Sequence, residues 1–150
     1  MLLDKFLEFS NSQTVTTTAV STNDIDLGPL SGGNTQRDIG AGEELYLNVA
    51  VTEGVTAAGA ATVNFQLLTD DNTGFSSSAI VFDSGAIGKA ALSLGTILSF
   101  KLPAGAWERY VRGNYVVATG PLTAGKFSLY ISHAGVDRRS YAVGTPILAG

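Results

Sequence analysis

The chain has 150 residues, 45% hydrophobic and 15% charged, and 13 acidic against 9 basic side chains leave a net charge of -4. That balance, with no basic run interleaved with aromatics, argues against nucleic acid as a partner. Cysteine is absent, which excludes disulfides and thiol chemistry.

Residues 1–10 read as a short helical arm. Leu2, Leu3, Phe6, Leu7 and Phe9 cluster on one side of a helical turn, with Asp4 and Glu8 opposite. Asp4, Lys5 and Glu8 interrupt the apolar run, so it is not a signal peptide. Two turns are marginal alone in water, so the arm must dock, either on its own domain or on a neighbouring subunit. Gln13–Val20, rich in Thr and Val, and the short Ile25–Leu27 read as strands. Gly28–Gly42, with its Gly-Pro, Ser-Gly-Gly-Asn and Gly-Ala-Gly runs, reads as a surface loop.

Glu44–Val51 predicts a strand with Leu45, Leu47, Val49 and Val51 facing in and Tyr46 and Asn48 facing out. Thr52–Ala61 reads as a connection. In Thr62–Thr69, Val63, Phe65 and Leu67 share a face. Asp70–Gly74 is a turn by composition. Ala79–Phe82 and Thr96–Leu102 predict two further strands, the second alternating through Leu98, Phe100 and Leu102. Trp107–Thr119 and Lys126–Ser132 then form a hairpin across Gly120–Gly125. In its second arm Phe127, Leu129 and Ile131 alternate with Lys126, Ser128, Tyr130 and Ser132. Residues 134–150 follow as an extended tail.

About eight strands at this spacing indicate an all-β chain, a jelly-roll-like β-sandwich over residues 1–150 as one domain. No run approaches the length of a transmembrane helix, and no membrane is expected as a partner.

Residues that could carry chemistry are few. His133 is the one histidine, and without a second histidine or a cysteine the usual zinc sites cannot be assembled. Asp70, Asp71 and Asn72 offer oxygen ligands, but no glutamate stands where a calcium loop requires one. Val81-Phe82-Asp83-Ser84-Gly85-Ala86 has the hydrophobic-Asp-Ser-Gly-Ala form of an aspartic protease, which would need two copies of Asp83 to share a proton. Asp-Ser-Gly is also an ordinary strand-ending turn. Gly85-Ala86-Ile87-Gly88-Lys89 lacks the spacing of a phosphate loop. The expectation is no catalytic group, no cofactor and no metal.

A charged share of 15% is well below the usual ~25%, which points to a surface partly covered by a partner. Trp, Tyr and Arg concentrate toward the C-terminal third, and these are the residue types of interface hot spots. Strand alternation places Trp107, Arg109, Val111, Tyr115 and Val117 on one face and Glu108, Tyr110, Arg112 and Asn114 on the other. Leu3, Phe6, Trp107, Arg109, Arg112, Arg138, Arg139 and Tyr141 are the candidate interface residues. Trp107 could equally fill the domain's own core.

Two segments carry a family resemblance. One is MLLDKFLEFSNSQTVTTTAVSTNDIDLG, an arm feeding a Thr/Val strand and an Ile-Asp-Leu-Gly strand end. The other is KLPAGAWERYVRGNYVVATGPLTAGKFSLYIS, with its Pro-x-Gly lead, Arg-Tyr-Val-Arg strand and Ala-Gly turn. The chain resembles the small capsid cement, or decoration, proteins of tailed bacteriophages over nearly its whole length. The resemblance implies a jelly roll that self-associates, a homodimer being favoured over a homotrimer. It also implies a place on the outer capsid surface of a virion after synthesis in the host cytoplasm. There the protein would clamp neighbouring subunits of a major capsid protein of the HK97-like type. A carbohydrate- or receptor-binding sandwich of a phage fibre or tail is the alternative, with Asp70–Asn72 beside Phe75 as its candidate loop.

Overall fold

The computed structural model describes residues 5–28, 44–104 and 107–133. Eight strands run through them: β1 (Glu8–Thr14), β2 (Ala19–Asp26), β3 (Tyr46–Thr56), β4 (Thr62–Asp70), β5 (Ala79–Gly88), β6 (Ile97–Lys101), β7 (Tyr110–Ala118) and β8 (Ala124–Ser132). They form two four-stranded antiparallel sheets, in the order β1-β8-β3-β6 and β2-β7-β4-β5. Strand β1 pairs with β8, β2 with β7, β3 with β6 and β4 with β5. The chain is therefore one long hairpin, wound so that its two arms stay paired while they pass from sheet to sheet. That winding defines a jelly roll, and all-β is the observed class.

Alternation explains the core. Leu47, Val49 and Val51 of β3, Val63, Phe65 and Leu67 of β4, and Phe127, Leu129 and Ile131 of β8 are all buried. At the centre Phe65 meets Tyr115 and Phe127 edge-on, with centroids 5.8 and 5.2 Å apart, while Tyr115 and Phe127 stack at 5.7 Å. Such ring pairs add roughly 0.5–1.5 kcal/mol each beyond their buried area. Burial pushes the Tyr115 phenol well above its ordinary pKa, and the Ser10 hydroxyl, which bonds to it, pulls the other way. Tyr115 lies on β7 and Ser10 on β1, so this buried pair pins one sheet to the other.

Glycine is required at one point in the core. A Cβ on Gly113 would run into Leu129 Cδ2 from the facing sheet and lie 3.2 Å from Ser21 Cβ. The Ser21 hydroxyl also accepts a bond from the Gly113 amide at 2.9 Å.

Several sequence expectations are corrected. The helical arm shrinks to a 3-10 turn at Lys5–Leu7, and strand β1 begins at Glu8. Phe9 is buried because β1 pairs with β8 and carries that ring into the core, which outweighs a helical pattern two turns long. The expected Gln13–Val20 strand is broken at Val15–Thr18, where the chain crosses from one sheet to the other. Strands β3 and β5 run on to Thr56 and Gly88, through Thr, Gly and Ala stretches that read as connections. Asn48 and Tyr130 face away from the core yet are buried. The Asn48 amide there bonds to Ser132 Oγ at 2.7 Å and to Ser99 Oγ at 2.6 Å.

Candidate functional site

The outer face of the β2-β7-β4-β5 sheet gathers Arg112 and, through Asp26, Arg109, two of the four described residues singled out for interaction. Two rows of side chains cross it. One runs Asp24–Arg112–Leu68–Ile80 and the next Val20–Asn114–Gln66–Asp83, each residue opposite its neighbour on the adjoining strand. Opposed residues of an antiparallel pair share a face, so these side chains meet.

Arg112 is gripped on two sides. Its Nε and Nη2 donate to the two carboxylate oxygens of Asp24 at 3.0 and 2.6 Å. The guanidinium also lies 3.8 Å from the centroid of the Phe75 ring. Phe75 is held there at a φ of 49°, a left-handed conformation a bulky residue adopts only when its surroundings impose it. Arg109 repeats the fork on Asp26, with Nε and Nη2 at 3.0 and 3.1 Å, and lies over the Tyr110 ring at 4.9 Å. Its hydrogen bonds to the Asp26 carboxylate hold the Arg109 guanidinium above its ordinary pKa.

The second row is a relay of amides. Asn114 Nδ2 donates to Gln66 Oε1 at 3.0 Å, and Gln66 Nε2 donates to Asp83 Oδ2 at 2.8 Å. The other oxygen of Asp83 accepts from the Gly85 amide at 2.7 Å. The Gln66 bond first and the Gly85 N–H second hold the Asp83 carboxyl below the usual range. Asp83-Ser84-Gly85, the segment of protease-like form, is a β-bulge. Gln66 pairs with Asp83 but Asn64 with Ala86, so β5 carries an extra residue there. Gly85 takes a φ of 74°, and Ser84 Oγ accepts from the Phe65 amide at 2.9 Å. Both side chains of the motif bond to the neighbouring strand and so tie the bulge to β4.

The Asp70–Gly74 turn is organised around the fully buried Asp70. Burial alone would raise its pKa, but the Ser77 and Asn72 amides, at 2.8 and 3.2 Å, hold it below the ordinary value. The loop beside Phe75 thus spends its polar groups on its own shape, and one face of the Phe75 ring is covered by Arg112. His133 lies exposed just after β8. Among the described residues no group of three or more His, Cys, Asp or Glu is placed to hold a metal ion. An open groove of about 530 Å³ lies between β5 and the chain leaving β6, lined by Val81, Phe82, Asp83 and residues 101–104.

The remaining candidates divide. Trp107 is partly buried and packs against the core. Arg109 precedes β7, so strand alternation does not govern it, and it turns to Asp26 rather than joining Val111 and Tyr115 inside. Tyr115 belongs to the core. Phe6 is 70% exposed on the 3-10 turn before β1. Leu3, Arg138, Arg139 and Tyr141 lie outside the described residues. Sequence reasoning missed Asp24 and Asp26, although Asp-Ile-Asp alternates and each lies opposite a residue of the Arg-Tyr-Val-Arg strand.

The model of the Bbp16 family matches residues 9–131, which takes in all of β2 to β7 and nearly all of β1 and β8. The chain belongs to that family, whose name marks a phage-related protein. No curated protein matches it.

Proposed function

We propose that this protein is a capsid decoration protein: it coats the outer surface of a phage shell of the HK97-like type and clamps neighbouring major capsid subunits, associating also with copies of itself. Membership of the Bbp16 family carries this reading, because it ties the chain to a phage. The fold supports it. A jelly roll whose sheets are pinned by a buried Tyr115–Ser10 bond is a stiff body. The Asp83-Ser84 segment and the Asp70 loop, the two places of most catalytic or ligating promise, use their polar groups within the sheet and the turn. A clamp needs rigidity and adhesive surface, and adds stability by binding the assembled state more tightly than the loose one. Many weak contacts repeated around a shell act together.

Co-sedimentation of the purified chain with shells assembled from the major capsid protein encoded beside it tests the reading. The expected result is saturable binding at a fixed ratio to capsid subunits. Absence of binding to both immature and expanded shells would overturn it and bring the glycan-binding alternative forward.

A further inference from the structure

We propose that the outer face of the β2-β7-β4-β5 sheet is the surface on which two copies of this chain pack, with Val20 and Ile80 buried in the contact. The inference rests on the self-association in the reading above and assigns a face to it.

Four large hydrophobic side chains are exposed among the described residues: Phe6, Val20, Ile80 and Leu94. Val20 and Ile80, 44% and 57% exposed, both belong to this face, on its two marginal strands. Leu68, Val116, Phe75 and Tyr110 lie half-buried between or beside them. An antiparallel sheet with one face on the core should present a polar face to water. On the outer face of the other sheet Ser99 and Lys101 are exposed, Asn48 and Tyr130 are already buried, and no large hydrophobic side chain of its strands is exposed.

The charges indicate what covers it. Arg109 and Arg112 are each held in a two-point fork by an aspartate of the same chain, and Asp83 is bonded by Gln66 and Gly85. A partner therefore needs to supply no counter-charge. Two identical copies bring identical charges to a two-fold axis, and neutralisation within each copy removes the repulsion they would otherwise meet there. A face neutralised from within suits a second copy, whereas an oppositely charged partner would find its forks already taken.

The size approaches that of an ordinary interface. Four strands about 19 Å across and about 30 Å long offer roughly 600 Å² in plan before side-chain relief, against the ~800 Å² one partner contributes to an ordinary specific interface. Covering both Val20 and Ile80 requires the full width of the sheet, since they stand three strand spacings, about 14 Å, apart.

Sedimentation velocity of the full-length chain without any shell is the test. The wild type is expected to be a dimer. Ile80→Lys and Val20→Lys should each raise its dissociation constant by roughly 30-fold or more, a hot-spot effect. Leu94→Lys, on an exposed turn away from this face, should leave it unchanged. Far-UV circular dichroism establishes that each variant keeps its sheets. A wild-type monomer, a trimer, or a dimer indifferent to both face lysines overturns the proposal. Shell binding is read separately. Ile80→Lys monomers that still coat shells leave the capsid reading standing, and a wild-type dimer that coats none leaves this face standing.

Discussion

The sandwich has two margins, and they are held together differently. On one side, where β1 and β2 are the outermost strands, side chains join the sheets. The Gln13 amide on β1 donates to the Val20 carbonyl at 2.8 Å and accepts from the Thr22 amide and hydroxyl at 3.0 and 2.9 Å. A side-chain amide thus occupies the edge of β2 as a neighbouring strand's peptide would. Just inside lie the Ser10–Tyr115 bond and the close approach of Gly113 to Leu129. On the other side, β5 and β6 are linked by Phe82 and Phe100, with centroids 5.5 Å apart, and open onto the groove. Strand β5 blunts its own edge by irregularity instead, with register shifts at Val81 and at Ser84-Gly85. The comparison teaches that one fold can guard an exposed strand in two ways, by lending it a side-chain peptide or by spoiling its ladder.

Four substitutions or conditions probe that contrast, in falling order of effect. Gly113→Ala should be the most damaging, at about 3 kcal/mol, because the new methyl group has nowhere to go between Leu129 and Ser21. Denaturant unfolding measures it, and a loss below about 1 kcal/mol would mean that the joined margin yields easily. Ser10→Ala should cost about 2 kcal/mol by leaving the Tyr115 hydroxyl buried without its partner. Adding Tyr115→Phe to Ser10→Ala should return most of that loss, since both polar groups are then gone. On the open margin Gly85→Ala should cost about 1 kcal/mol, through the backbone alone, because a side chain there meets open space at a φ of 74°. A larger loss would show that the bulge is packed more firmly than its exposure indicates.

The smallest effect is a pH dependence, again on the open margin. Asp83 has a folded pKa below its unfolded value, so its stabilising contribution is present at neutral pH. It should fade as acid takes the pH down through the ordinary carboxylate range and on to the folded pKa. Thermal unfolding between neutral pH and that range should be less acid-sensitive in Asp83→Asn, and an identical slope would remove Asp83 from the account.

How much of this was legible in the sequence follows from the reach of each interaction. Strands with one apolar face, such as Val63-Phe65-Leu67 and Phe127-Leu129-Ile131, declare themselves because alternation is local and their cores are as expected. The arm misleads because Leu2, Leu3, Phe6 and Leu7 fit a helix, while the pairing that places Phe9 in a sheet comes from β8, over a hundred residues away in sequence. Strand β5 was half visible. Its second part, Asp83-Ser84-Gly85, has turn chemistry, and only the register against β4 shows it to be a bulge inside a strand. The two arginines of the outer face, Arg109 and Arg112, were legible by composition, but their partners were not. Asp24 and Asp26 reach them across a strand pair no sequence window contains. Burial of Asn48 and Tyr130 on the outward side has no sequence signal, since alternation assigns a direction and not a covering.

The pairing of β1 with β8 also sets a timetable for making the protein. During synthesis β4 and β5 emerge close together, so their hairpin can close early. Strand β2 must wait for β7, and β1 for β8. Each of those later closures spans a longer stretch of chain, and ordering depends on contacts that arrive late. Until β8 leaves the ribosome, β3 lacks one of its two neighbours and β1 lacks its pairing partner, with apolar faces still uncovered. The molecule is therefore vulnerable to clumping until β8 arrives, and a high rate of expression would do the most harm in that interval.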